Sequence, residues 1–155
     1  MPPLLKQNMK LNVKISVMVE SVYAIRETDL SFRMKLLICL EWFDRRLRYR
    51  DLTNATGNNL VDSESASKLW IPQVIFKSDM TTEQVKGFNP AGLMAVPRKG
   101  VGQPAELTEL HEHLYYEGSE NPLVYNYTEE RTFKCDYNLS WYPFDNQFCV
   151  VKVMI

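Results

Sequence analysis

The chain has 155 residues, 45% of them apolar, with a formal net charge of −1 at pH 7. This is enough for one domain with a real core and short for two, and the near-neutral balance gives no long-range attraction to nucleic acid. No stretch reaches the roughly 18 consecutive apolar residues that span a bilayer, so the chain itself contains no transmembrane domain.

In chain order, the first signal is alternation. Leu11, Val13, Ile15, Val17 and Val19 alternate with Asn12, Lys14, Ser16, Met18 and Glu20, the period of two that predicts a half-buried strand. Ala24 to Leu30, with Glu27-Thr28-Asp29, predicts a turn. After it Phe32, Met34, Leu36, Ile38, Leu40 and Trp42 form the apolar face of a second strand, placed beside the first and antiparallel to it. Its other face carries Ser31, Arg33, Lys35, Leu37, Cys39 and Glu41, with Cys39 read as a packed thiol. The one basic cluster, Arg45-Arg46-Leu47-Arg48-Tyr49-Arg50, reads as a solvated strand end.

Asn54 to Ser67 is polar and reads as a surface loop. Leu69 to Phe76, Leu114 to Tyr116, Val124 to Phe133 and Phe148 to Ile155 are rich in β-branched and aromatic residues and predict further strands. Thr81 to Thr108 holds Pro90, Pro97, Pro104 and several glycines, which predicts a long loop, with a short helix near Ala105 to His113. The expected fold is therefore all-β, an immunoglobulin-like antiparallel sandwich. It is read as one partial domain over 1–155, carrying a loop-rich insertion at 79–118.

Chemistry-bearing motifs are sparse. His111-Glu112-His113 could take zinc with Glu109 or Glu117, but its spacing is unlike the i, i+4 pair of a helical site, so His111 and His113 read as a solvated pair. No Gly-rich phosphate loop or nucleophile elbow is present; no enzyme and no cofactor are expected. Three sequons, Asn54-Ala55-Thr56, Asn126-Tyr127-Thr128 and Asn138-Leu139-Ser140, argue together for the secretory pathway. Against that, Met1 to Lys6 lacks the apolar run of a secretory signal, so the chain is expected to be a piece of a longer frame. The three cysteines could be free thiols in a cytosolic protein, a reading the sequons oppose.

The densest constellation lies between Cys135 and Cys149, where Asp136-Tyr137-Asn138-Leu139-Ser140-Trp141-Tyr142-Pro143-Phe144-Asp145-Asn146-Gln147-Phe148 fills the interval. It resembles the signature loop of the Cys-loop receptors, the pentameric ligand-gated ion channels. Two upstream elements resemble the same family and occur in its order. One is Trp42-Phe43-Asp44-Arg45-Arg46-Leu47; the other is Lys68-Leu69-Trp70-Ile71-Pro72.

The resemblance implies a Cys135–Cys149 disulfide, a bridge that in the loop-closure account removes roughly 3 kcal/mol of unfolded-chain entropy. It implies the N-terminal part of an extracellular ligand-binding domain at the plasma membrane, with a small-molecule ligand held between homologous subunits of a homo- or hetero-pentamer. Trp141, Tyr142, Pro143, Phe144 and Asp145 would press on the membrane channel domain and transmit binding to the gate. Taken without the family, the same residues are a stapled hairpin with an ordinary hydrophobic tip. Trp42, Asp44, Arg46, Trp70 and Pro72 would be structural.

For the ligand, the resemblance points to Leu37 and Cys39, five and three places before Trp42, and to Phe76 and Lys77 after the tryptophan-proline element. Family members that bind amino-acid carboxylates often carry arginine where Cys39 stands, and cholinergic members an aromatic where Leu37 stands. Gln73 replaces the usual aspartate. Two alternatives share the fold: a secreted soluble binding protein, and a truncated subunit that modulates assembly.

Overall fold

A computed structural model describes residues 11–53, 59–77, 92–98 and 114–155. The elements are β1 (Val13–Arg26), β2 (Ser31–Trp42), β3 (Arg48–Arg50), α1 (Ser63–Lys68), β4 (Ile75–Phe76), β5 (Leu93–Ala95), β6 (Tyr115–Glu117), β7 (Leu123–Lys134) and β8 (Val153–Met154). The chain is nearly all β with antiparallel pairing, as the alternation predicts. The main sheet runs β1-β2-β7-β5, and β3-β6 and β4-β8 form two small sheets.

β2 carries the fold. From Phe32 to Trp42 every even position is buried, while Leu37, Cys39 and Glu41 are half-exposed. β1 follows its predicted phase only at the start: Val13 and Ile15 are half-buried, but Val17 and Val19 are exposed because β1 is the sheet's edge.

The residues gather into two compact units, and β1, β2 and β7 each contribute to both. One comprises 11–16, 39–53, 59–71, 92–98 and 114–127, with a core of Leu40, Trp42, Ala66, Leu93, Ala95, Leu123 and Tyr125. Here β5 pairs with β7, Leu93 opposite Tyr125 and Ala95 opposite Leu123. Gly92 lies so close to the Asn126 carbonyl oxygen that a Cβ would overlap it. The other unit comprises 17–38, 72–77 and 128–155. Its core is aromatic: Phe133 lies 5.8 Å from Phe32 and 5.6 Å from Phe76, ring centre to ring centre.

Several predicted boundaries move. The 54–67 loop ends in α1, a six-residue helix too short for an apolar period to reveal. Asp62 caps it by accepting from the Ser65 N–H at 2.9 Å, and Lys68 pairs with Glu64 at 2.7 Å. Within Thr81 to Thr108, Leu93–Ala95 is a strand rather than loop. Three residues against β7 suffice to bury Leu93 and Ala95. Only Ile75–Phe76 of the 69–76 strand and Val153–Met154 of the 148–155 strand are paired; Pro72, without an N–H, breaks the first. Asn54, His111, His113 and the 105–113 helix lie outside the described residues. Among those described, no helix is long and apolar enough to cross a membrane.

Candidate functional site

The region after β2 folds into a tight acid–arginine turn. Asp44 is fully buried and accepts four hydrogen bonds from Arg46: the backbone N–H at 3.0 Å to Oδ1, Nε at 2.9 and 3.3 Å, and Nη2 at 2.6 Å to Oδ2. Burial pushes the Asp44 carboxyl up, but the side-chain and backbone donors of Arg46 outweigh it and hold the group below the usual carboxylate range. The turn closes through the Leu47 N–H on the Asp44 carbonyl at 3.1 Å. Gly118 donates to the Leu47 carbonyl at 2.9 Å and packs where a Cβ would strike the Asp44 carbonyl oxygen. Trp42 meets Trp70 edge to face at 6.5 Å, so the two tryptophan motifs are one packing unit. The buried Trp42 indole N–H has no hydrogen-bond partner among the described residues.

The disulfide joins Cys135 to Cys149, with Cα atoms 5.3 Å apart. Within the loop the Gln147 side-chain amide acts as a substitute strand. Its Oε1 accepts from the Asn138 N–H at 2.9 Å and its Nε2 donates to the Asn138 carbonyl at 2.8 Å and also to Asp145. Two turns then fold the tip, the Tyr142 N–H donating to the Leu139 carbonyl at 3.1 Å and the Phe144 N–H to the Trp141 carbonyl at 2.7 Å. The Tyr142–Pro143 bond is cis. The outcome is an apolar tip held away from any core: Trp141 is 78% exposed, Tyr142 63% and Phe144 91%. Asn138 is exposed, and its Oδ1 accepts from the Ser140 hydroxyl at 2.6 Å.

The four candidate ligand contacts are not equivalent. Leu37 and Cys39 share the outward phase of β2 and are half-exposed. Burial first, and the charge of Glu41 second, push the Cys39 thiol up, against an opposing pull from Lys14, so the group is neutral at pH 7. Lys77 is exposed, its N–H bound to the Lys152 carbonyl at 2.9 Å. Phe76 is 6% exposed, its ring edge-on to Phe133. It sits in the core, where a ligand at the surface has no access to it.

Residues 1–100 match the neurotransmitter-gated ion-channel ligand binding domain family. The chain belongs to this family. Similarity to individual receptors reaches further along the chain. The chain is 24% identical over 143 residues to gamma-aminobutyric acid receptor subunit beta-4 of Gallus gallus, which covers 92% of the chain and 24% of that protein. To the glutamate-gated chloride channel of Drosophila melanogaster it is 20% identical over 141 residues, 91% of the chain and 26% of the channel. To the acetylcholine-gated chloride channel subunit acc-1 of Caenorhabditis elegans it is 25% identical over 138 residues, 89% and 25% respectively. The chain thus spans about a quarter of the length of these relatives.

As a Cys-loop ligand-binding domain, the molecule keeps the family's fold and its disulfide. One residue escaped the sequence reading, Tyr137, whose hydroxyl donates to the Ser31 carbonyl at 2.9 Å. Gln147, part of the 135–149 constellation in the sequence, closes the loop from within. A signal for Tyr137 existed: Phe133, Cys135 and Tyr137 continue the inward phase of β7 past its end.

Proposed function

We propose that this chain is the ligand-recognising extracellular part of a pentameric ligand-gated channel subunit at the plasma membrane. In this reading it binds a small molecule at interfaces with homologous subunits and couples that binding to the gate through the 135–149 loop. The observation that carries the reading is the loop itself: a disulfide-closed, internally hydrogen-bonded base presenting Trp141, Tyr142 and Phe144 to solvent. Three exposed aromatics on a constrained turn have no role in this chain's own core, and an apolar surface on a partner domain accounts for them.

The relatives are named for gamma-aminobutyric acid, glutamate and acetylcholine, which supports a ligand of the small amino-acid or amine transmitter class. The outer face of β2 contributes Leu37 and a neutral Cys39, an apolar contact with neither guanidinium nor aromatic ring. A ligand carboxylate would therefore take its counter-charge from another element, with Lys77 the exposed cation among the proposed contacts. Asn126 and Asn138, both exposed within sequons, are the proposed glycan sites among the described residues.

The test is electrical. The full reading frame containing this chain is expressed in oocytes, and currents are recorded with each of the three transmitters. The expected result is a transmitter-evoked current that falls at least tenfold when Trp141, Tyr142 and Phe144 are replaced together by Ala, at unchanged surface level. Full current from the triple variant would reject the coupling role. A protein that is secreted whole into the medium, with transmitter binding but no current, would favour the soluble binding protein.

A further inference from the structure

The disulfide loop is anchored at its base by two hydrogen bonds to consecutive carbonyls. The Cys135 N–H donates to the Leu30 carbonyl at 2.8 Å, and the Tyr137 hydroxyl donates to the Ser31 carbonyl at 2.9 Å. Both acceptors sit where the turn between β1 and β2 ends. That turn is itself closed by the Leu30 N–H on the Glu27 carbonyl at 3.3 Å. Leu30 holds a left-handed backbone at φ 49°, a conformation a leucine keeps only when its surroundings fix it.

We infer that Tyr137 is a positioning residue that clips the disulfide loop to the β1–β2 turn, so that the two move as one element. The geometry supports this in both directions from the phenol. Toward the turn, Ser31 is 5% exposed, so its carbonyl is fixed in a buried position and offers the hydroxyl a dry acceptor. Burial, and then the charge of Glu27 in the turn, push the Tyr137 phenol up, which keeps it a donor across the physiological range. Toward the tip, the next residue is Asn138, whose N–H and carbonyl are both held by Gln147 at 2.9 and 2.8 Å. The path from the turn toward the tip thus runs from the Ser31 carbonyl through the Tyr137 phenol to the Asn138 backbone and the Gln147 amide, each step a hydrogen bond or the chain itself. The gating consequence rests on the coupling reading proposed above; the clip rests on the hydrogen bonds alone.

The experiment uses the full reading frame, purified in detergent, with Tyr137→Phe as the variant. This change removes one hydroxyl and leaves the ring to pack. Tyr23→Phe serves as the matched control, since it removes another phenol hydrogen bond, to Glu130. Hydrogen exchange is followed over the segments 24–31 and 135–149. In Tyr137→Phe both segments are expected to exchange roughly five- to tenfold faster together, with the disulfide intact, while Tyr23→Phe leaves the wild-type rates. Acceleration of the loop alone, or of neither segment, would overturn the clip. This arm decides by itself if none of the three transmitters opens the wild-type channel.

Where one does, the maximal current per surface receptor is expected to fall several-fold in Tyr137→Phe, with half-saturation of binding unchanged. A purely structural role would lower surface level and leave efficacy alone. Unchanged efficacy in Tyr137→Phe overturns the positioning role when the Trp141, Tyr142 and Phe144 triple variant is inactive. If the triple variant also retains full current, it is the coupling reading that has failed.

Discussion

Two acid–arginine pairs, each two residues apart in sequence, have opposite characters. Asp44 and Arg46 sit in a turn: the carboxylate is buried and fully engaged, while the Arg46 side chain is 45% exposed. Glu129 and Arg131 sit side by side on the buried face of β7, each side chain only 9% exposed, joined at 2.9 Å. There the second oxygen of Glu129 has no hydrogen-bond partner among the described residues. The same two chemical groups therefore do different things. A turn that solvates the cation lets the pair stabilise the fold; a strand that buries both charges takes them from water with incomplete return.

The largest effect expected from this contrast is at Arg131. Arg131→Leu leaves the Glu129 carboxylate buried without its ion-pair partner and is expected to cost about 3–5 kcal/mol, read as a fall in the urea midpoint. The informative variant is the double change Glu129→Leu with Arg131→Leu. Two leucines on that face would join Phe133, and stability is expected to match or exceed wild type by up to about 4 kcal/mol. A double variant as unstable as the single one would show that the β7 pair is a net stabiliser and erase the contrast.

Next in size is the disulfide, which sets the scale for both pairs. With a sequence separation of 14 between the cysteines, Cys135→Ser is expected to lose about 3 kcal/mol and to abolish surface assembly of the full subunit. Surface biotinylation and thermal unfolding check the two parts. Normal surface pentamers from Cys135→Ser would count against a structural role for the bridge.

Asp44→Ala is expected to cost about 2 kcal/mol, less than Arg131→Leu because the stranded Arg46 side chain reaches water. The pair also has a pH signature. The folded carboxyl lies below its ordinary range, so its contribution is complete above that range and is lost as pH falls through the lower folded value. Wild type should therefore lose stability on acidification below about pH 4, the ordinary carboxylate range, and Asp44→Ala should flatten that part of the curve. An unchanged slope would mean that Asp44 is not the titrating group.

Much of this was legible because the signals were periodic or clustered. The alternation in β2 placed Leu40 and Trp42 inward and Leu37 and Cys39 outward, and the motif around Asp44 and Arg46 marked its turn. Glu129 and Arg131 were not legible for the converse reason. Aromatic and β-branched content marks the 124–133 strand but assigns no face to Glu129 and Arg131, whereas the phase set by Tyr125 and Phe133 turns both inward. α1 and β5 escaped because six and three residues are too few to show a period; only the Asp62 cap and the Leu93–Tyr125 pairing reveal them. At the candidate site, Phe76 was an aromatic at a plausible distance from Trp70, and sequence alone could not show that Phe133 claims its ring.

The smallest expected effect lies at the loop tip and tests whether exposure, rather than residue type, governs all of these values. Phe144 is the same size as the buried Phe133, yet it is 91% exposed, and Phe144→Ala should change the unfolding free energy by less than about 0.5 kcal/mol. Phe133, fully buried against Phe32 and Phe76, is the opposite case, for which truncation to Ala costs about 3–5 kcal/mol. If Phe144→Ala proved comparably destabilising, the tip would be packing on its own chain in solution. Its aromatics would then be structural, and the surface offered to a partner would have to be sought elsewhere.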